Sequence, residues 1–251
     1  MPKRARRSCN GLQRRALRDD AFHRRPVVRH TCGTPMNAAG LQPLGRWLPS
    51  PLLKASAGLH VALAAALAWQ PSTWPLALAA FVADHLILST VGLVPRGTLL
   101  GPNVTRLPGA AAARGEVTIT IDDGPDPEVT PRVLELLAAH GARATFFCVG
   151  AQIAAHPELA REIVQRGHTI ENHTGRHSNA FSFFGPRRIA DEIDLGQRTI
   201  RATTGHAPRF FRAPAGLRNP LLQPQLDRAG VQLASWTRRG QALTVEFLVS
   251  Q

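Results

Sequence analysis

A chain of 251 residues is long enough for one large domain or two modest ones, and its formal net charge of +13 is unevenly spread. Residues 1–35 hold ten Lys or Arg against Asp19 and Asp20 alone, so the remainder is only mildly basic. Three cysteines, Cys9, Cys32 and Cys148, lie far apart without paired spacing, which argues against a zinc knuckle or a disulfide framework.

The basic arm lacks apolar periodicity and any aromatic stacking platform, so it reads as disordered, and no nucleic-acid partner is expected from it. Met36, the only methionine after Met1, is a second candidate start, which would make residues 1–35 an over-extended beginning. Two Ala- and Leu-rich runs come next at 55–69 and 76–94, separated by the uncharged stretch Gln70 to Pro75 and flanked by Trp47, Trp69 and Trp74. Their length and interfacial aromatics predict a membrane hairpin; a soluble helical pair packed on the next domain is the competing reading. Asp84 and His85 inside the second run are expensive in lipid and should face another helix or water. If both runs span, the basic flanks put both ends in the cytoplasm; if only one spans, the C-terminal part of the chain lies outside. Residues 36–100 are therefore read as hairpin and linker, at a bacterial-type inner membrane with the side left open. Residues 101–251 are read as a separate domain.

From residue 115 on, strand and helix signals alternate with short spacers. Strands are predicted at 117–122, 143–149, 168–172, 208–212 and 231–236. Pro157, Pro186 and Pro220 sit near helix starts, and Gly141, Gly167, Gly205 and Gly230 at or past helix ends. Five βα units in a row imply an α/β fold with a parallel sheet or an incomplete barrel.

Chemistry-bearing residues collect at the strand ends. The run Thr118-Ile119-Thr120-Ile121 ends in Asp122-Asp123-Gly124-Pro125, after which Asp126 is a natural N-cap and Pro127 a first helical residue. An apolar stripe of Val129, Val133, Leu134, Leu136 and Leu137 runs from there to Gly141. On its own, Asp-Asp-Gly-Pro reads as a capped turn, and only partners further along make it a site. The third strand leads into Glu171-Asn172-His173-Thr174-Gly175-Arg176-His177, whose two histidines, four apart, aim at one point if the turn is helical. One carboxylate from the first strand end and two histidines from the third make three ligands with a fourth position open, as in a hydrolytic metal site. The other carboxylate is then available as a general base. The fourth strand ends in Arg209-Phe210-Phe211-Arg212-Ala213-Pro214-Ala215-Gly216, where a guanidinium is placed to hold a carboxylate. Trp236 closes the fifth strand as a groove wall or a core aromatic, and Cys148 reads as a small buried hydrophobe.

In this order, these motifs resemble the polysaccharide deacetylase family with the NodB homology domain, carbohydrate esterase family 4, over about residues 115–240. The resemblance implies a NodB-type incomplete (β/α) barrel preceded by the hydrophobic hairpin. It also implies metal-assisted hydrolysis of an N-acetyl group on an amino sugar of a polysaccharide or glycolipid. Residue by residue, Asp122 looks like the catalytic base, Asp123, His173 and His177 like the ligands of zinc or cobalt, and Arg212 like the residue orienting the base. Pro214, Gly216 and Trp236 match the substrate groove. The implied partners are an N-acetylated glycan or lipid-linked sugar and, through residues 55–94, the membrane.

The family's Asp-bearing segment after the fifth-strand Trp has no counterpart in Arg238-Arg239-Gly240-Gln241-Ala242, and the later Leu-x-x-His supplying a general acid is not found. The expectation is a truncated or frameshifted domain with two strands missing and exposed edges on the first and fifth strands. A non-catalytic metal- and sugar-binding remnant is the competing expectation.

Overall fold

The computed structural model describes residues 47–239 and 245–249; the basic arm with Cys9 and Cys32, and Met36, lie outside the described residues. Helix α1 (Pro51–Trp69) starts with Pro51 at its first position and Ser50 as cap, whose Oγ accepts the Leu53 N–H at 3.3 Å. A single 3₁₀ turn, Pro71–Thr73, leads to α2 (Trp74–Gly92). The two runs thus form an antiparallel pair, as expected. Large apolar side chains, among them Val61, Leu76 and Leu86, stand exposed, and Trp69 at the tip is 91% exposed. Asp84 turns inward and is only 7% exposed, its carboxylate receiving the Ser56 hydroxyl at 2.7 Å; His85 remains exposed.

After a short helix α3 (Gly109–Ala113) the chain alternates through β1 (Val117–Gly124), α4 (Val129–Ala139), β2 (Ala144–Cys148), α5 (Gly150–Ala155), α6 (Pro157–Gln165) and β3 (Thr169–Asn172). It continues with α7 (Pro186–Thr204), β4 (Phe210–Phe211), α8 (Leu222–Ala229), β5 (Gln232–Leu233), β6 (Arg238–Arg239) and β7 (Val245–Val249). The sheet order is β5-β4-β3-β2-β1-β7-β6, with β1 to β5 parallel. β2, in the middle, is buried on both faces, as a parallel strand with helices on its flanks requires. Leu134, Phe146, Ile153, Ile163, Ile170 and Ile200 form one core cluster, and Phe181, Ile193, Phe211, Leu226 and Leu233 belong to a second. Each such side chain contributes about 1.5–3 kcal/mol by leaving water. Cys148 is fully buried as expected, and burial pushes its thiol pKa well above the usual range.

Asp126 performs the predicted cap: its Oδ1 accepts the N–H groups of Glu128 and Val129 at 2.9 and 2.8 Å, while Thr130 Oγ1 accepts the Asp126 N–H at 2.9 Å. The apolar stripe is narrower than predicted, because Leu136 points to solvent at 61% exposure and Thr130 takes a buried place. β4 is shorter than 208–212. Pro208 has no N–H to give a ladder, and the N–H groups of Arg209 and Phe210 go to the buried Glu171 carboxylate, both at 2.7 Å. Glu171 is thus a strand-pairing residue and stays out of the chemical cluster its sequence neighbours form.

The expected bare edges are a correction. β7 pairs antiparallel with β1 from Val117↔Val249 to Ile121↔Val245, and β6 pairs with β7, so an antiparallel pair that the βα reading did not anticipate covers the edge of β1. On the far side Val104 forms a parallel bridge with Ala234; its N–H donates to the Leu233 carbonyl and its own carbonyl accepts the Ser235 N–H, both at 2.9 Å. Pro95 and Arg96 reach the same strand end: Ser235 Oγ donates to the Pro95 carbonyl at 2.8 Å and Arg96 donates to the Thr237 carbonyl at 2.9 Å. The segment read as a linker is therefore laced along β5, on both sides of residue 100.

Candidate metal centre

Neighbouring residues of a strand point to opposite faces, which would send Asp122 and Asp123 apart. At the end of β1 the pairing with β2 shifts register between Asp122 and Gly124, and Asp123 takes a left-handed φ of 68°. Asp122 consequently turns inward, its side chain 7% exposed, while Asp123 sits at the rim with 55% of its side chain exposed.

Asp122 Oδ1 accepts Arg212 Nη1–H at 2.6 Å. The wholly buried guanidinium also donates from Nη1 to Thr120 Oγ1 at 3.0 Å, from Nε to the Ala234 carbonyl at 3.3 Å and from Nη2 to the Ser235 carbonyl at 3.4 Å. It lies over the Phe147 ring, 3.9 Å from Cζ to centroid. A planar fork with several partners fixes the carboxylate in orientation as well as in charge.

Asp123 Oδ1 lies 3.2 Å from His173 Nε2 and 3.1 Å from His177 Nε2. His173 follows β3 directly, its backbone N–H continuing the ladder to the Cys148 carbonyl at 3.0 Å. The turn that brings His177 back is not helical, contrary to the condition set by their spacing: Thr174 and His177 have φ of 72° and 53°. Asn172 Oδ1 accepts the Thr174 N–H, and Thr174 Oγ1 accepts the His177 N–H, each at 2.9 Å. Glu192 on α7 takes the Arg176 N–H at 2.8 Å and its Nη1 at 2.9 Å. Asn172 itself packs on Gly196, where an added Cβ would stand 2.2 Å from Asn172 Oδ1. These supporting residues were not assigned from the sequence. One signal for them was available, since Glu192 interrupts the buried stripe Ile189, Ile193, Gly196, Ile200, and a charge in such a stripe requires a partner.

The donor set fits a divalent ion. His173 Nδ1 is 2.8 Å from the Arg212 carbonyl, a distance that requires a proton on Nδ1 and leaves the neutral ring's lone pair on Nε2. A lone pair facing a carboxylate oxygen at 3.2 Å is repulsive unless a cation lies between them, whether a proton or a metal. A tetrahedral ion with bonds of about 2.0–2.1 Å sets its ligands about 3.3 Å apart, close to the separations seen here. Electrostatics agree: His173 first, then His177, hold the Asp123 carboxyl far below the usual carboxylate range, and Asp123 raises the His177 imidazole.

The turn Pro214–Gly216 follows Arg212, with Ala215 and Gly216 at φ of 52° and 70°. A Cβ on Gly216 would stand 2.6 Å from Trp236 Cη2 and 2.7 Å from Pro95 Cβ, so only glycine lets the turn close on that indole. Trp236 is 8% exposed and props the turn from below.

The family model described as polysaccharide deacetylase matches residues 110–234. The chitooligosaccharide deacetylase of Azorhizobium caulinodans is 33% identical over 142 residues, 55% of this chain and 67% of its own length. The chain belongs to the polysaccharide deacetylase family. A chitooligosaccharide deacetylase of a Bradyrhizobium species is 37% identical over 53% of this chain and 61% of its own length. A peptidoglycan-N-acetylglucosamine deacetylase of Bacillus cereus is 36% identical over 48% and 56% respectively, so the chain spans about three-fifths of the length of these two relatives. The matched segment carries Asp122, Asp123, His173, His177 and Arg212; the hairpin and β6 to β7 lie outside it.

Proposed function

We propose that this chain is a membrane-attached, metal-dependent hydrolase that removes N-acetyl groups from amino sugars of a glycan or glycolipid. The observation that carries the reading is the division between neighbouring carboxylates: Asp123 shares two imidazole nitrogens at 3.1–3.2 Å, and Asp122 is gripped by Arg212 at 2.6 Å. Asp123, His173 and His177 would hold the ion, zinc or cobalt by its imidazole and carboxylate donors. Such an ion, when bound, polarises an acyl carbonyl and lowers the pKa of water.

Asp122 is the base: it takes the proton of the attacking water as the carbon–oxygen bond forms at the acyl carbon. Arg212 keeps that carboxylate aimed, and the carbon–nitrogen bond then breaks as the proton taken up by Asp122 passes to the departing nitrogen, giving acetate and the amino sugar. The turn at Pro214–Gly216, backed by Trp236, forms the groove wall. The names of the relatives, deacetylases of chitooligosaccharides and of peptidoglycan N-acetylglucosamine, support N-acetylated glycans as the substrate class.

The NodB-type incomplete barrel is supported by Arg212. Three spacings of about 4.8 Å would put β4 some 14 Å from β1 in a flat sheet, yet the side chain touches β1 and the end of β5 at once. A strongly curled sheet accounts for both contacts. Membrane attachment rests on the hairpin: two 19-residue helices, each about 28 Å long, carry apolar side chains outward, with Trp69 and Trp74 at the tip.

Acetate release from chitin oligomers and peptidoglycan fragments, measured with added zinc or cobalt, tests the reading. Asp122→Asn is expected to keep stoichiometric metal and lose turnover by about 10²–10⁴-fold, whereas Asp123→Ala loses both. Metal binding without acetate release in the unaltered chain would instead make this a binding remnant.

A further inference from the structure

Between Pro51 and Gly92 the ionisable residues are Lys54, His60, Asp84 and His85, and three of these four meet at one point. His60 lies near the middle of α1, Asp84 and His85 near the middle of α2, and one ligand atom from each lies within 4.8 Å of the other two. We propose that His60, Asp84 and His85 form a second metal site, inside the hairpin, for a divalent ion of the zinc class. This does not depend on the deacetylase reading, since no residue is shared with the Asp123 site.

Both imidazoles carry a backbone bond at Nδ1, as metal-ligating histidines commonly do. His60 Nδ1 donates to the Ser56 carbonyl at 2.7 Å and His85 Nδ1 to the Phe81 carbonyl at 2.9 Å, each one helical turn back. At His85 this bond selects the tautomer with a ligating lone pair on Nε2. At His60 the nitrogen facing Asp84 is Nδ1 itself, 3.9 Å from Oδ2, so binding an ion exchanges its bond to Ser56 for one to the metal. The rings meet edge to face with centroids 5.3 Å apart, and Phe81 packs on His85 at 4.1 Å. Asp84 is buried between the helices, where Ser56 supplies its carboxylate with a hydroxyl and His60 Nδ1 stands 3.9 Å from Oδ2. A buried carboxylate in apolar surroundings calls for a cation, and an ion shared with two imidazoles provides one.

The donor chemistry sets the class of ion. Two imidazoles and one carboxylate suit zinc, cobalt and related transition ions, whereas calcium and magnesium take oxygen ligands. Drawing the three atoms from within 4.8 Å to the roughly 3.3 Å spacing of a tetrahedral site needs only side-chain movement of about an ångström. A plain Ser56–Asp84 clasp between the helices would not require the histidines, and this difference is what the test exploits.

The full-length chain, solubilised in detergent, is stripped with chelator, reloaded with zinc or cobalt(II) and freed of excess. Zinc is counted by elemental analysis and cobalt by its visible absorption. Two equivalents are expected in the unaltered chain, one in Asp123→Ala, and none once His85→Gln is added to Asp123→Ala. His85 is exposed, so its replacement leaves the helix pair folded, and Ser56→Ala, which breaks the clasp alone, is expected to retain two. An Asp123→Ala chain that holds no ion overturns the proposal. So does one whose ion survives His85→Gln, because that ion is bound elsewhere, for instance at Cys9 or Cys32. If Asp123→Ala leaves the count unchanged while His85→Gln lowers it, the hairpin site stands and the reading of the catalytic centre fails.

Discussion

Replacing Arg212 by Lys keeps the charge beside Asp122 and removes the fork. The guanidinium satisfies Asp122, Thr120 and the carbonyls of Ala234 and Ser235 from three different nitrogens, and it covers the Phe147 ring. An ammonium is a single point at the end of a flexible stem and cannot reach β1 and the end of β5 together. Two buried carbonyls then lose a donor at about 1–3 kcal/mol each, and the ring contact forfeits about 1 kcal/mol. The total, about 3–7 kcal/mol, brackets the usual cost of about 3–5 kcal/mol for disrupting a buried ion pair. For a domain of this size that lowers Tm by at least about 6 °C at about 2–4 °C per kcal/mol. Because Asp122 loses its fixed orientation, kcat is expected to fall by about 10²–10⁴-fold while the zinc equivalent held by Asp123, His173 and His177 is unchanged. Thermal melts, elemental analysis and acetate release measured on one preparation separate these effects. An Arg212→Lys chain that turns over at the unaltered rate would refute Arg212 as the residue that aims the base.

Gly196→Ala should weaken zinc binding without touching a ligand, since the new Cβ collides with Asn172 Oδ1 and displaces the bond that sets Thr174 and the histidine turn; a zinc titration equal to the unaltered chain's would contradict this. The metal-free chain should show a pH optimum of stability. The lowered Asp123 contributes stability present above about pH 4 and lost as pH falls through its folded value, and the raised His177 contributes stability present below about pH 6.5 and lost as pH rises through its folded value. Melting temperature against pH should therefore crest between about 4 and 6.5, and His177→Asn should remove the alkaline fall; a profile identical in both chains counts against the pairing. Deleting residues 51–90 should move the protein out of the membrane fraction, and recovery of the full chain in a high-speed supernatant without detergent would oppose the membrane reading.

The site was legible where chemistry sits at strand ends. Asp122 with Asp123, His173 with His177, and Arg212 each stand where a β-branched or aromatic run stops, and a parallel sheet gathers such ends on one side. The parts that escaped are held by contacts with no local period. Val104 pairs with residues some 130 positions later, so nothing around it alternates. β7 pairs backward onto β1 in an antiparallel sense that a reading of successive βα units does not anticipate. Glu171 looked chemical because it adjoins the histidines, yet the strand's alternation sends it to the backbone of β4. The histidine turn departs from helix because Asn172 and Glu192, from the strand end and from α7, capture its N–H groups first.

The lacing along β5 bears on how this polypeptide can be cut and recombined. The family match begins at residue 110, which invites grafting the matched part onto a different leading segment at that point. Yet Pro95 supports the Gly216 turn, Val104 seals the sheet, and the Arg218 N–H reaches back to the Gly92 carbonyl. The transplantable unit therefore opens at the last turn of α2, and a chimaera joined at residue 110 would arrive with a slack Pro214–Gly216 turn and a raw strand edge.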